Sequence, residues 1–544
     1  MTHSHRHNRG YLHGAVILAA GVAIVRVIGL VYRIPIANIL GSEGMSTFTV
    51  AFSIYQFLLI VATAGLPVAL SKMIASADAL NRPAQVRRVY TTGRNAFVII
   101  GTGSFLIMAV FHQQLANLMQ LPDAARAILA LSPALFFVGL ISAYRGYCQG
   151  LSEMAPTSIS QIIEAVVRLV LGVGAAWLFV RWGFSEPVTV AGAILGTTVG
   201  AGIAAAYLFV AKRRVDRHRH MPDGLDTPDS GRRVLRNLRN IAIPLTVGAS
   251  LFHFIAIINN AVILGQLQGT LGLDPAVAQS LHGTYGGMVF PLFNLPSGFI
   301  IPITVALIPA ISGFLAQGDV VNAKKTSESG IRVTCLLAMP AGVGLTVLAG
   351  PVMSVLYHGR YAAEGPGLMA WMGIAAFFIC FFQATNCVLQ AYGFQRYTMV
   401  TLPVGGLISV LLTLLLVGDP RFSIYGAAIS MVACYVVISV INMVLVKRRI
   451  PDPPSFLKIL VRPLLCTAVM AFAAWGSFGL ISNLVFGGLT AASSRLSLTI
   501  ALGSAIGIAM VVYLVLIIAT RALTKEDMHM LPKGEKLAKL LRVR

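Results

Sequence analysis

Long apolar runs, broken at near-regular intervals by a few polar residues, fill this chain. They fall at about 13–40, 49–76, 88–111, 124–150, 157–181 and 188–211, then 239–267, 280–312, 327–357, 365–391, 398–417, 423–446, 457–483 and 496–520. An α-helix needs roughly 20 such residues to cross a hydrocarbon core of about 30 Å. The runs are continuous rather than alternating, which excludes a membrane barrel. The pattern predicts an all-α polytopic membrane protein with about 14 transmembrane helices.

The polar breaks carry orientation. The first connection, 41–48, has Glu43 and no Lys or Arg, whereas the second has Arg82, Arg87 and Arg88. The sixth holds Lys212, Arg213, Arg214, Arg217, Arg219, Arg232, Arg233 and Arg236. Lys324 and Lys325 mark the eighth, Arg396 the tenth, and Lys447, Arg448, Arg449 and Lys458 the twelfth. Odd connections are poor in such residues, and only the short fourth departs from the alternation. Cytoplasmic loops collect Lys and Arg, so the even connections and both termini are expected in the cytoplasm. The basic tail 521–544 is expected to lie on anionic lipid at the inner leaflet.

Composition agrees. The 544 residues are 57% hydrophobic and 11% charged, with a mean hydropathy of +0.80, which excludes a soluble globule. A formal net charge of +22 would suggest nucleic acid in a soluble protein. Here the cations sit in loops, and no nucleic-acid partner is expected. Cys148, Cys335, Cys380, Cys387, Cys434 and Cys466 lie in apolar runs without metal-ligand spacing; packing roles are expected, with no disulfide and no metal. The run to Leu40 is too long for a signal core and contains Arg26 and Arg33, so it reads as a retained first helix.

The sixth connection contains Pro222, Gly224 and Pro228 and behaves as a linker. It separates 1–212 from 239–447, with 213–238 as a basic cytoplasmic linker; 448–520 and the tail 521–544 follow. The halves look related: FFVGLISAYRGYCQG at 136–150 parallels FFICFFQATNCVLQA at 377–391. In that register Arg145 falls opposite Asn386, Glu164 opposite Gly405 and Arg168 opposite Ser409. A similar overlay sets Arg26 near His253 and Arg33 near Asn260. Charge thus concentrates in the first half, and internal repeats mark transporters whose site lies between bundles.

Ionised groups within a bilayer persist when they pair, line a wet cavity or bind something. Glu164 and Arg168 are four apart and are expected to pair on one helix face. Arg145 has no acidic neighbour at helical spacing. Arg26 and Arg33 are seven apart on one face, and Lys72 follows the helix-loosening Gly65-Leu66-Pro67. These cations outnumber Glu164, which suits phosphate or pyrophosphate, because a guanidinium bonds phosphate oxygens in pairs. Gln149, Gln161, Asn259, Asn260, Asn386 and Gln390 are candidate polar cavity residues. No phosphate-binding glycine loop, nucleophile elbow or zinc-binding helix motif occurs, so no enzyme is expected.

GLVYRIPIANILGSEG (29–44), AGLPVALSK (64–72), SPALFFVGLISAYRGYCQG (132–150) and MAPTSISQIIEAVVRL (154–169) resemble the polysaccharide-biosynthesis transporters of the stage V sporulation protein B type. These belong to the multidrug/oligosaccharidyl-lipid/polysaccharide (MOP) flippase superfamily, which includes MurJ-type lipid II flippases. The resemblance implies two pseudo-symmetric six-helix lobes around a V-shaped cavity, and two C-terminal helices forming a lipid-tail groove. It implies alternating-access transport of an undecaprenyl-pyrophosphate-linked saccharide across a bacterial inner membrane, lipid II first. An exopolysaccharide or teichoic-type exporter, a multidrug/cation antiporter and a membrane scaffold are the alternatives. By the same analogy Arg26, Arg33, Lys72 and Arg145 would hold pyrophosphate, and Glu164 and Arg168 would be a gating or structural pair. No cofactor is implied, coupling to membrane potential or to Na+ or H+ is open, and cell-wall synthesis proteins are potential partners.

Overall fold

The computed structural model describes residues 2–63, 65–219, 226–357, 359–485 and 494–523. Most of the expected basic tail, and residues 220–225 of the linker, lie outside the described residues. Among the described residues there is no strand. Thirteen helical stretches are long and apolar enough to cross a membrane. The first of them, Ala20–Ala79, merges two of the predicted runs, so all fourteen runs are accounted for.

One compact unit ends at Gly265. It contains α1 (Thr2–Thr63), α2 (Leu66–Ala79), α3 (Pro83–Val110), α4 (His112–Leu118), α5 (Ala125–Gly150), α6 (Ala155–Arg181), α7 (Glu186–Arg219) and α8 (Gly231–Gly265). Helix α1 is kinked at Gly41, whose φ of 70° lies where only glycine is unstrained. The second unit, Gln266–Arg544, contains α9 (Pro275–His282), α10 (Phe290–Phe293), α11 (Leu295–Ala316), α12 (Val320–Val347), α13 (Ala349–Tyr357), α14 (Gly365–Ala391), α15 (Gln395–Val417), α16 (Tyr425–Arg449), α17 (Phe456–Leu484) and α18 (Arg495–Ala519).

Within the first unit α5 is the most buried helix and packs on α2, α3 and α7, while α6 packs on α7 and α1. Small residues permit this. A Cβ on Gly139 of α5 would lie 2.7 Å from the Phe97 carbonyl oxygen of α3, and one on Gly196 of α7 would lie 2.5 Å from the Gly172 nitrogen of α6. Between helices in lipid, such close backbone approach replaces the hydrophobic drive that water would supply.

The second unit repeats the scheme. Helix α14 is buried against α11, α12 and α16, and α15 packs on α16. The pairings α3/α5, α5/α7 and α6/α7 therefore recur as α12/α14, α14/α16 and α15/α16, in the register that overlays 136–150 on 377–391. The turn after α5 passes through Ser152 (φ 64°) and the turn after α14 through Gly393 (φ 83°).

Charge and turn residues place a boundary in the sixth connection, yet α8 packs on α1, α2 and α3. The reason is local: Gly65 has room only for a hydrogen, since a Cβ there would sit 2.2 Å from the Ala242 oxygen. Phe57 also meets Phe254 with ring centroids 5.7 Å apart.

The even connections gather at one end of their unit. Both Asp226 carboxylate oxygens accept from the start of α3, from Ala84 N at 2.9 Å and Gln85 N at 3.0 Å. Arg82 donates to the Thr227 carbonyl at 2.7 Å. The Tyr147 hydroxyl, near the fourth connection, donates to Asp216 at 2.7 Å. In the second unit Lys324 pairs with Asp452 at 2.5 Å, and Ser455 N donates to Glu328 at 3.0 Å. The second, fourth and sixth connections thus meet in the first unit, and the eighth and twelfth in the second.

Candidate functional site

The charged residues of the first unit converge where α1, α5 and α6 approach each other. On α6, Thr157, Gln161, Glu164 and Arg168 recur at intervals of three and four, which lines them along one face. Arg145 of α5 reaches this face. Its Nε donates to Ser160 Oγ at 3.0 Å and a terminal nitrogen to Glu164 Oε2 at 3.3 Å. Ser160 is fully buried, and its hydroxyl donates to the Thr157 carbonyl at 2.7 Å. The side chains of Arg145 and Glu164 are 19% and 21% exposed, so the ion pair is shielded without being sealed.

The expected Glu164–Arg168 pair is therefore replaced. Glu164 takes its cation from α5, and Arg168 turns toward α1, where its guanidinium carbon lies 5.7 Å from the Tyr32 ring centroid. Helical spacing brings Arg168 near Glu164 along one axis. Arg145 prevails because its fork also finds Ser160, one turn before Glu164, and two charge-assisted bonds outweigh one. Tyr55 of α1 is buried.

Arg33 is half-buried on α1, its guanidinium carbon 5.0 Å from the centre of the Phe48 ring. Phe48 in turn stacks on Phe52 at 4.6 Å. Several polar atoms here are buried without a hydrogen-bond partner: Arg168 Nε, Gln161 Oε1, the Tyr32 hydroxyl and Thr157 Oγ1. Buried polar atoms left in this state are costly, about 1–3 kcal/mol each, unless water or a ligand meets them. Of the three arginines here, Arg145 pairs with Glu164, while Arg33 lies over Phe48 and Arg168 over Tyr32.

The other predicted residues are placed differently. Arg26 on α1 and Lys72 on α2 are exposed, and no hydrogen bond or ion pair joins them to the cluster. Gln149 is half-buried on α5, Asn259 is buried and Asn260 half-buried on α8, and both asparagines belong to the first unit. Asn386 and Gln390 are half-buried on α14 in the second unit. Ser160, Tyr32, Tyr55 and Phe48 escaped the sequence reading. Ser160 alone left a signal there, standing four residues before Glu164 on the same face.

The profile of the family described as "Polysaccharide biosynthesis protein" matches residues 11–315. The chain belongs to that family. All four α1, α5 and α6 residues with charge at the site, Arg33, Arg145, Glu164 and Arg168, lie inside the matched region. Stage V sporulation protein B of Bacillus subtilis is 25% identical over 536 residues, covering 96% of this chain and 98% of the relative. Lipid II flippase MurJ of Bacillus subtilis is 24% identical over 479 residues, covering 85% and 87%. Among solved structures, lipid II flippase MurJ in an inward closed conformation aligns with a TM-score of 0.68 at 13% identity, over 93% of this chain and 99% of its own. An inward-facing multidrug-resistance MATE transporter of the MOP superfamily gives 0.65 at 14%, over 80% and 98%. This family member is thus a multi-pass membrane protein with the fold shared by MurJ and MATE transporters.

Proposed function

We propose that this protein is a flippase that carries an undecaprenyl-pyrophosphate-linked saccharide across a bacterial inner membrane by alternating access, with lipid II as the preferred cargo. One observation carries the reading: a surplus of guanidinium groups, Arg33, Arg145 and Arg168 against Glu164, set among buried unsatisfied polar atoms in the first unit. A diphosphate supplies several anionic oxygens to such a set, and arginine binds them bidentately. Two of the Arg145 nitrogens are held by Ser160 and Glu164, which fixes the plane of the fork before cargo arrives. Arg26 and Lys72, being exposed, add positive field without belonging to this constellation. In the second unit an almost entirely apolar cavity of about 660 Å3 between α11, α12, α17 and α18 suits the polyprenyl tail.

A multidrug/cation antiporter would call for a carboxylate-rich chamber, and the sign of the charge here opposes that. An exopolysaccharide or teichoic-type lipid-linked cargo uses the same chemistry and is separated only by assay. The deciding experiment is flux of defined lipid-linked saccharides in proteoliposomes, with and without a membrane potential or a Na+ or H+ gradient. Lipid II flux above protein-free vesicles is expected, and transport of organic cations with none of lipid-linked sugars would refute the reading. Both termini are assigned to the cytoplasm, and a C-terminal reporter active only outside the cytoplasm should stay silent.

A further inference from the structure

The buried polar atoms left without partners beside α6 do not all need the same thing. Arg168 Nε is a donor without an acceptor, whereas Gln161 Oε1 is an acceptor without a donor. Thr157 Oγ1, one turn before Gln161, can serve either way. Among the described residues the NH2 group of Gln161 makes no hydrogen bond either, so a whole carboxamide is unused. An ionised diphosphate presents acceptors alone. It can satisfy guanidinium groups, but it has no proton to give Gln161 Oε1.

Position matters as much as sign. Gln161 stands one turn before Glu164, which holds Arg145 at 3.3 Å. It stands seven residues before Arg168, about 10 Å along the axis at 1.5 Å per residue. Helix α1 closes on α6 at both ends of this stretch. A Cβ on Gly21 would overlap the Ser158 hydroxyl, and one on Gly172 would lie 3.0 Å from the edge of the Tyr32 ring. Gln161, Glu164 and Arg168 lie between these crossings. Beyond Arg168, α6 reads LVLGVGAAWLFV and offers no amide, hydroxyl or charge before Arg181. Of the two directions along α6 from the arginines, only the one toward Gln161 and Thr157 can serve a sugar.

We propose that Gln161 reads the sugar bonded directly to the diphosphate, and that this sugar carries an N-acyl group. The acyl amide N–H donates to Gln161 Oε1, and the acyl carbonyl accepts from Gln161 Nε2. A ring hydroxyl matches this pair less well, because one oxygen must serve both ends of the carboxamide. The inference rests on the transport reading, since Arg145 and Arg168 must hold the diphosphate for Gln161 to lie beside that sugar. It narrows the cargo to lipid-linked chains that begin with an N-acylated amino sugar and disfavours those that begin with a plain hexose.

The test compares two probes, farnesyl diphosphate bonded to N-acetylglucosamine and farnesyl diphosphate bonded to glucose, which differ only in the substituent at the second ring carbon. Their affinities for the full-length protein in detergent are measured by native mass spectrometry. Wild type should bind the N-acetylated probe about tenfold more tightly, the worth of one to two neutral hydrogen bonds. Gln161→Met keeps the length of the side chain without its amide and should abolish that preference. Arg145→Ala should weaken both probes and keep the preference, because it acts on the diphosphate they share. The preference is a ratio taken within one preparation, so partial misfolding of a variant cannot imitate its loss. Equal binding of the two probes by wild type, or a preference that survives in Gln161→Met, would overturn the assignment and leave the diphosphate reading standing. Failure of wild type to bind either probe would bring down the transport reading and this inference together.

Discussion

Replacing Arg145 and Glu164 singly and together separates their two roles. At 3.3 Å, opposite unit charges attract by about 5 kcal/mol at an effective dielectric of about 20. Each side chain is about one-fifth exposed, so screening reduces the net value, and we take about 2–3 kcal/mol for breaking the pair from one side. Arg145→Ala strands the carboxylate and removes the donor to Ser160, while Glu164→Gln strands the guanidinium. Both single variants should melt lower in detergent. The double variant strands neither charge and should return to within about 1 kcal/mol of wild type, because removing both partners is far cheaper than removing one. Transport should not return with it. If Arg145 holds the diphosphate, losing one charge-assisted bond of about 1.5–3 kcal/mol lowers lipid II flux at least roughly tenfold. The assay is lipid II flux in proteoliposomes, with melting temperature measured on the same preparation. A stable double variant with wild-type flux would refute the cargo role and leave the pair as a structural clasp.

Three further outcomes follow from the packing. Gly139→Ala places a methyl 2.7 Å from the Phe97 carbonyl oxygen, so α3 and α5 must part; a loss of about 1–3 kcal/mol is expected, and an unchanged melting temperature would mean that the crossing is looser than described. Asp226→Ala removes the acceptor shared by Ala84 N and Gln85 N; about 1 kcal/mol of capping should go, read as roughly fivefold faster hydrogen exchange at those two amides. Tyr32→Phe deletes a buried hydroxyl that has no hydrogen-bond partner, so the melting temperature without cargo should be unchanged or slightly raised; lipid II flux should fall, and unchanged flux would remove that oxygen from the cargo site.

The fold was largely legible because membrane burial is written in run length. Helix count and the kinship of 136–150 with 377–391 need only one-dimensional information, whereas the run 49–76, read as one helix loosened at Gly65-Leu66-Pro67, is divided there between α1 and α2. Partner choice needs more. Helical spacing offered Arg168 to Glu164, but the packing of α5 beside α6 decided for Arg145, and no periodicity in either helix encodes that. Hydropathy gives depth rather than direction, which is why Arg26 and Lys72 look alike to Arg33 in sequence while Arg33 lies over Phe48 and the other two are exposed. Helix α8 joins the first unit by packing on α1, α2 and α3, with Gly65 against Ala242 and Phe57 against Phe254, details that loop charge cannot signal.

The six cysteines are all free and buried. A thiol introduced on the surface, at Lys72 or Arg462 for instance, would then be the only one open to a bulky maleimide. Probes for distance measurement can go onto the native background without first stripping Cys148, Cys335, Cys380, Cys387, Cys434 and Cys466 from the positions they fill. The interior's sulfur content thereby leaves the protein suited to single-molecule study of its own movement.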